Sequence, residues 1–549
     1  MNALVETHWL AQNLKDPQII IVDASPTEEY VSMHIPGAVS CSFGAEEYLS
    51  YGINTSYGGG VDLFTDPKTS LPFQDGPPEY IQDVLQKLGV NKNSLVVIYD
   101  NGANFLATRV FWTLSYHGHK KAVILNGGLE KWAKDGYPLT SEVVRPKKGD
   151  FLVNVFDEQI VVDTDYVLKK MLDPNVIIVD ANLSSWYHGG FLAYSKRGHI
   201  PRAINAPYPF YFREDKCWKN KEDLGNYFKA IGIVPEKEII VYCGGNPAGS
   251  CLYFTLRNIL NYPNVKFYYK SLIGWLSDER NLPVATYGCE NLIRDVEWVR
   301  WFAGERIQYL VSDPKVRTID ARNKDEYRKE HIPFAVNIPI EFLFKKWGLQ
   351  FEQWEKILGD NGIDQETEAV IYDEYVSPRS SLLFWLMEYL GHKKISILNG
   401  GLTSWMKNGF RVSNSDTIIA MPRHKFDIAI SPKIYKIESL NKKIIYYEDI
   451  DSCRRSSIFL VCTKEDILFL TSKNVEVIKQ IPWQDYIDSS GSFKKAGDLA
   501  TIFESKQIYK HNEIICYSKS IAESTFSYFV LRLMGYPNVR VLFTKMQDS

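Results

Sequence analysis

Residues 241–250 read VYCGGNPAGS, and the run into them is apolar: Ile239, Ile240, Val241 and Tyr242 lead directly to Cys243. Two glycines, an Asn-Pro step and another small pair follow. Beyond them Leu252, Leu256 and Ile259 recur at helical spacing. A β-branched run stopped by Gly and Pro, then a helical pattern, predicts a buried strand, a loop and an amphipathic helix. Cys243 stands where strand becomes loop. A cysteine there is either a small core residue, as free cysteines often are, or a nucleophile held at a strand end.

The same junction recurs along the chain. The runs LVVIYD, IIVYC, AVIYD and EIIC end on Asp100, Cys243, Asp373 and Cys516, at intervals of 143, 130 and 143 residues. GHKKAVILNGGLEKWAKDGY from Gly118 and GHKKISILNGGLTSWMKNGF from Gly391 lie 273 residues apart. Such self-similarity marks a duplicated pair, each pair an Asp-type unit followed by a Cys-type unit. Earlier strands end in Asp-Ala at Asp23, Asp180 and Asp320, and a His-Ile-Pro turn follows at His34, His199 and His331. These histidines are expected to fix the turn before proline rather than to do chemistry.

Continuous β-branched strands alternating with helices predict α/β domains, each a parallel sheet with helices on both faces. The expected domains are 1–147, 155–288, 295–415 and 425–549, with linkers near 145–154, 287–295 and 413–425. The fourth is expected to be degenerate. In SIFLVC, Cys462 takes the place of the aspartate, and KQIPW from Lys479 is a weak echo of the His-Ile-Pro turn. The tryptophan turn that closes the other three (Trp132, Trp275, Trp405) is missing.

Composition narrows the classes. The 549 residues are 45% hydrophobic and 23% charged with a net charge of −3, so nucleic acid and anionic membrane are not expected partners. No apolar run approaches a membrane span, and the start, MNALVETHWLAQ, lacks the basic and apolar pattern of a secretion signal. The eight cysteines show no paired C-x-x-C spacing or nearby histidines, so neither a metal site nor a disulfide framework is expected. A reducing cytoplasm suits them.

A strand ending in Asp-Ala, then His-Ile-Pro-Gly-Ala, a Cys loop and Gly-Gly-Leu-x-x-Trp resembles the rhodanese superfamily. Tandem pairing of an Asp-type with a Cys-type domain is similar to the thiosulfate and 3-mercaptopyruvate sulfurtransferases. The resemblance implies four rhodanese-like domains and a cysteine that accepts a sulfane sulfur as a persulfide. It further implies a small-molecule sulfur donor, an acceptor that is a thiol, a thioredoxin-like protein or cyanide, and no cofactor. The nucleophile carries over onto Cys243, with Cys516 as a second candidate. Asp100 and Asp373 match the inactive loop, because a carboxylate cannot carry a sulfane sulfur.

The chemistry needs a thiolate. A loop curling its amides around sulfur at a helix N-terminus is expected to favour the anion. Gly244 and Gly245 are expected to allow the curl by adopting positive φ, and Asn246, Ala248, Gly249 and Ser250 complete the expected substrate-binding loop. Pro247, lacking an N–H, is expected to cost the cradle a donor. The Cys516 loop, CYSKSIAES, is expected to be about two residues longer and holds no glycine. The neutral Cys243 loop resembles that of mercaptopyruvate enzymes more than the basic loops associated with thiosulfate. Arg197 matches one of the arginines that hold the donor carboxylate there, while Trp186 stands where the family usually has the other. The phosphatase variant, Cys-x5-Arg, is not expected, because six residues after Cys243 and Cys516 stand Gly249 and Ala522. Two other readings stay open: a non-catalytic scaffold or regulatory protein, and a redox-sensing cysteine protein.

Overall fold

The computed structural model describes residues 3–41, 75–102, 104–153, 160–189, 196–303, 315–414, 432–437, 444–453 and 455–543. They fall into two compact units, Met1–Thr286 and Tyr287–Ser549. The boundaries expected at 155, 415 and 425, and most of the linker expected near 413–425, lie outside the described residues.

In the first unit, β1 (Leu4–Val5), β2 (Ile19–Asp23), β3 (Val39–Ser40), β4 (Leu95–Tyr99) and β5 (Ala122–Leu125) form one sheet. A second sheet holds β6 (Val161–Val162), β7 (Val176–Asp180), β8 (Ile204–Asn205), β9 (Glu238–Tyr242) and β10 (Val265–Tyr268). The second unit repeats this with β11 (Ile293–Arg294), β12 (Val316–Asp320), β13 (Val336–Asn337), β14 (Glu368–Tyr372) and β15 (Ile395–Leu398). Its other sheet is β16 (Ile444–Tyr446), β17 (Ile458–Val461), β18 (Ile478–Gln480), β19 (Ile514–Tyr517) and β20 (Val539–Phe543). The first sheet runs in the order β1-β5-β4-β2-β3, and the other three repeat it. All pairings are parallel. The central strands β4, β9 and β14 are buried at every residue but the first, as strands covered on both faces must be.

Within each unit the helices that follow the strand-to-loop junctions pack on each other. Phe111 of Phe105–Tyr116 meets Phe254 of Pro247–Phe254 edge to face at 4.8 Å. Phe384 of Pro378–Tyr389 meets Phe529 of Ile521–Leu533 at 4.7 Å. These helices are therefore buried nearly all round, and the amphipathic helix expected after Cys243 is corrected to a core helix. Its continuation, Thr255–Ile259, is a π-turn, which absorbs one extra residue. The extra residue shows in the sequence: Arg257 to Tyr262 is five steps, and the matching Arg532 to Tyr536 is four.

The His-Ile-Pro turns are built alike. Nδ1 of His34, His199 and His331 lies 2.6, 2.7 and 2.7 Å from the carbonyls of Tyr30, Tyr187 and Tyr327. Each imidazole also stacks on that tyrosine's ring. The next amides, of Ile35, Ile200 and Ile332, donate to the hydroxyls of Tyr99, Tyr242 and Tyr372 at the central strand ends. These buried histidines hold the turn onto the sheet.

The fourth sheet corrects four readings. Leu460 pairs with Cys516 and Val461 with Tyr517, whereas Val179 pairs with Val241 and Asp180 with Tyr242. Val461, not Cys462, therefore stands in the aspartate position. Cys516 matches Val241, inside the strand, and the residue at the place of Cys243 is Ser518. The helices agree, since LYFTLR from Leu252 and SYFVLR from Ser527 differ by 275, as do Cys243 and Ser518. The two-residue insertion expected in this loop is not there. In KQIPW, the Ile481 amide donates to Val461 O, just as Ala206 donates to Asp180 O and Ile338 to Asp320 O. That stretch is thus the counterpart of the segment after β8, not of the His-Ile-Pro turn.

Candidate active site

Cys243 follows the last residue of β9 and is 2% exposed. The backbone amides of Gly249, Gly245 and Asn246 act on its sulfur, pulling the thiol's pKa down against burial. Their aim comes from the short loop into the Pro247–Phe254 helix, whose N-cap Asn246 adopts φ +84°. Neither Gly244 nor Gly245 has positive φ; the left-handed step falls on Asn246 instead, a residue type that tolerates it better than most. The Gly244 amide is taken by Asn182 Oδ1 at 2.9 Å. The Leu272 and Ile273 amides hold the carbonyls of Cys243 and Gly244 at 2.9 and 3.1 Å. Gly249 lets the helix sit close: a Cβ there would lie 2.8 Å from Phe267 Cε2.

The matching loop of the first domain shows what such a cradle holds. Asp100 Oδ1 accepts from the Gly102 and Asn104 amides at 2.9 and 2.7 Å, and Oδ2 from Leu106 and Ala107 at 3.1 Å each. A carboxylate fills the site from within. The 143-residue offset that relates Asp100 to Cys243 also relates Phe111 to Phe254, which touch across the two helices, and Asn104 to Pro247. The Asn104 amide is one of the four on Asp100, so Pro247, which has no N–H, costs the Cys243 cradle that donor. Proline suits its place at the first helical position.

Burial and the amides oppose each other at Cys243. Burial pushes the thiol up to about 11, with Asp180 adding to the rise, against the pull of the Gly249, Gly245 and Asn246 amides. The amides act in the expected direction, favouring the anion, but desolvation of the buried sulfur exceeds what they return and the net shift is upward. Of the remaining loop residues, Ala248 is half-buried. Ser250 is fully buried and donates its hydroxyl to Pro247 O at 2.7 Å. Arg197 is exposed at the start of the His199 turn. A cavity of about 900 Å³ lined by Tyr116, Tyr166, Arg257, Lys266 and neighbours does not include Cys243, so volume and chemistry point to different places. The amide geometry is the stronger guide to where an anion is held.

The other junctions carry different groups. Asp373 accepts from the Glu374 amide at 2.7 Å and from Arg379 Nε at 2.9 Å, and Arg379 continues to Glu326. Ser518 accepts from the Ser520 amide at 3.3 Å and donates to Glu523 Oε2 at 2.9 Å. Cys516 lies in β19 with no exposure, and burial raises its thiol well above the ordinary range. Two residues at Cys243 escaped the sequence: Asn182, two positions past Asp180, and Ser271, which bonds both Cys243 N and Asn246. Among the described residues no cluster of His, Cys, Asp and Glu is placed to hold a metal ion. No described helix is long and apolar enough to cross a membrane.

These features define a parallel α/β domain with a cysteine in an amide cradle at a strand end. The chain belongs to the rhodanese-like domain family, whose model matches residues 6–135, 163–278 and 305–408; the fourth sheet lies beyond the match. It is 30% identical to the 3-mercaptopyruvate sulfurtransferase of Escherichia coli over 293 residues, 51% of this chain and 96% of that protein. It is 29% identical to the sulfur carrier protein TtuD of Thermus thermophilus over 284 residues, 50% of this chain and 93% of that one. The thiosulfate sulfurtransferase of Azotobacter vinelandii is 27% identical over 278 residues, again 50% and 93%. Among solved structures, the 3-mercaptopyruvate sulfotransferase SseA of Escherichia coli covers 49% of this chain and 99% of itself, with a TM-score of 0.43 and 30% identity.

Proposed function

We propose that this chain is a sulfurtransferase that moves a sulfane sulfur from thiosulfate or 3-mercaptopyruvate to a thiol or cyanide through a persulfide on Cys243. The observation that carries this reading is the cradle: a strand-end sulfur acted on by the amides of Gly249, Gly245 and Asn246, where the sister loop's amides hold the Asp100 carboxyl. With thiosulfate, the Cys243 thiolate attacks the sulfane sulfur, the S–S bond breaks and sulfite leaves with the bonding pair. Cyanide then takes the outer sulfur as thiocyanate and the thiolate returns; a thiol or thioredoxin-like protein takes it by the same displacement. Fixed amides stabilise the anion in each step without reorganising. Gly244, Ala248 and Ser250 frame the loop, and Arg197 is the candidate counter-charge for an anionic donor. All eight cysteines are free, which fits a reducing cytoplasm as the setting.

The test is a donor panel read by intact mass on wild type and Cys243→Ser. The reading predicts a sulfur gained by wild type from one of the two donors and none by the variant. No gain from either donor would sink it. A scaffold or regulatory role has one observation in its favour, that neither junction of the second unit carries a cysteine. It predicts no loading, and a partner whose binding survives Cys243→Ser.

A further inference from the structure

The turn behind the loop differs in the second domain, which reads Tyr269-Lys270-Ser271 where the first and third read Asn-Gly-Gly. The 143-residue offset that relates Asp100 to Cys243 relates Gly128 to Ser271, and Gly401 is the equivalent in the third domain. All three are left-handed, with φ of +57°, +52° and +58° respectively. A Cβ on Gly128 would come within 2.4 Å of Asp100 O, and one on Gly401 within 2.4 Å of Asp373 O. Ser271 carries a Cβ in that conformation, which side chains rarely adopt, and it does so fully buried. Strain kept at one copy and relieved by glycine at two others points to a task.

The hydroxyl shows the task. Ser271 Oγ donates to Asn246 Oδ1 at 2.9 Å and accepts from Cys243 N at 3.4 Å. Asn246 is itself left-handed, and its amide is one of the three on the Cys243 sulfur. At the first junction the helix N-cap is Asn104, one register position further on, and its side chain is tied differently, through Nδ2 to Lys216 O at 2.8 Å. We propose that Ser271 is a positioning residue for the sulfur-carrying site, holding the Asn246 side chain so that the Asn246 amide stays aimed at Cys243 Sγ. This rests on the reading of Cys243 as the sulfur carrier and names a part that reading lacked. The other groups that act with the sulfur are Asp180 from β7 and, on neighbouring elements, Tyr208, Tyr211 and Cys251; substitution at 271 removes none of them.

The test uses the full chain and no sulfur donor, so it reads out separately from persulfide formation. Site-resolved carbamidomethylation of Cys243 is followed between about pH 7 and about pH 9, where the rate tracks the thiolate fraction. Ser271→Gly and Ser271→Ala are expected to slow it roughly three- to tenfold at every pH, the scale of up to one pKa unit. Asn246→Gly, which keeps the left-handed backbone available, is expected to slow it likewise, and Asn246→Gly with Ser271→Ala no further. A merely structural role gives the opposite sign, because a loosened loop exposes the sulfur and speeds alkylation. An unchanged or faster rate in a folded Ser271→Gly, which restores the glycine of the sister turns, overturns the proposal. Additive slowing in the double variant overturns it too, since Ser271 would then not act through Asn246.

Discussion

At the scale of single residues, the account turns on a buried thiol that ionises late. Burial outweighs three amides and pushes the Cys243 thiol up to about 11, so at neutral pH the protonated thiol dominates. The thiolate is the nucleophile and its folded pKa is raised, so ionisation grows as pH rises toward 11. Single-turnover sulfur loading is therefore expected to accelerate about tenfold per pH unit between about pH 7 and about pH 9; a flat profile would mean that the donor is not met by a thiolate formed from this thiol. Cys516 gives the contrasting case. Cys516→Ser is expected to leave loading unchanged while costing about 1–3 kcal/mol in urea unfolding, because it buries a hydroxyl inside β19. Cys243 was legible because glycines and a helix pattern follow it directly. Cys516 misled because composition does not reveal strand register, and only the pairing of Leu460 with Cys516 shows that it lies within the strand.

At the scale of elements, close contact between helix and strand ends makes the cradle. Gly249→Ala would place a Cβ 2.8 Å from Phe267 Cε2 and 3.3 Å from Tyr242 C. The helix must retreat, and loading is expected to fall roughly ten- to a hundredfold, as catalytic geometry lost by about an ångström costs. A second device ties the Phe105–Tyr116 helix to the end of β10. Arg109 on the Phe105–Tyr116 helix is fully buried and donates to Asp75 Oδ1 at 2.8 Å and to Tyr269 just past β10 at 2.6 Å. Burial opposes the Asp75 charge, yet the Arg109 guanidinium and His117 hold its pKa down to about 2. Arg109→Met takes the guanidinium from that buried carboxylate, leaving it only His117 and Thr113, and is expected to cost about 3–5 kcal/mol at neutral pH. Because the Asp75 pKa is depressed, the pair's contribution is full above the unfolded value of 3.8 and is lost as pH falls through 2. The deficit of the variant in urea unfolding should therefore shrink toward about pH 2. The sequence could not announce this pair, since Asp75 and Arg109 belong to no repeat and meet only through the fold.

At the scale of the whole molecule, one architecture occurs four times and carries different chemistry at its junctions. Asp100, Cys243, Asp373 and Ser518 occupy one structural position, and the described contacts at the first, third and fourth are met by the protein's own groups. The duplication was readable because strands ending at or near these residues recur at nearly fixed intervals and the Gly-Gly-Leu-x-x-Trp turn returns after 273 residues. The fourth copy was harder because its Asp, His and Trp landmarks are gone, and what remains of it is sheet order and helix packing. The account therefore predicts one sulfur per chain, although the fold repeats four times. The most direct measurement is intact mass after incubation with thiosulfate or 3-mercaptopyruvate, then with cyanide, on wild type and Cys243→Ser. The expected result is one added sulfur on wild type, removed by cyanide, and none on the variant. Two sulfurs per chain, or one that persists in Cys243→Ser, would contradict it.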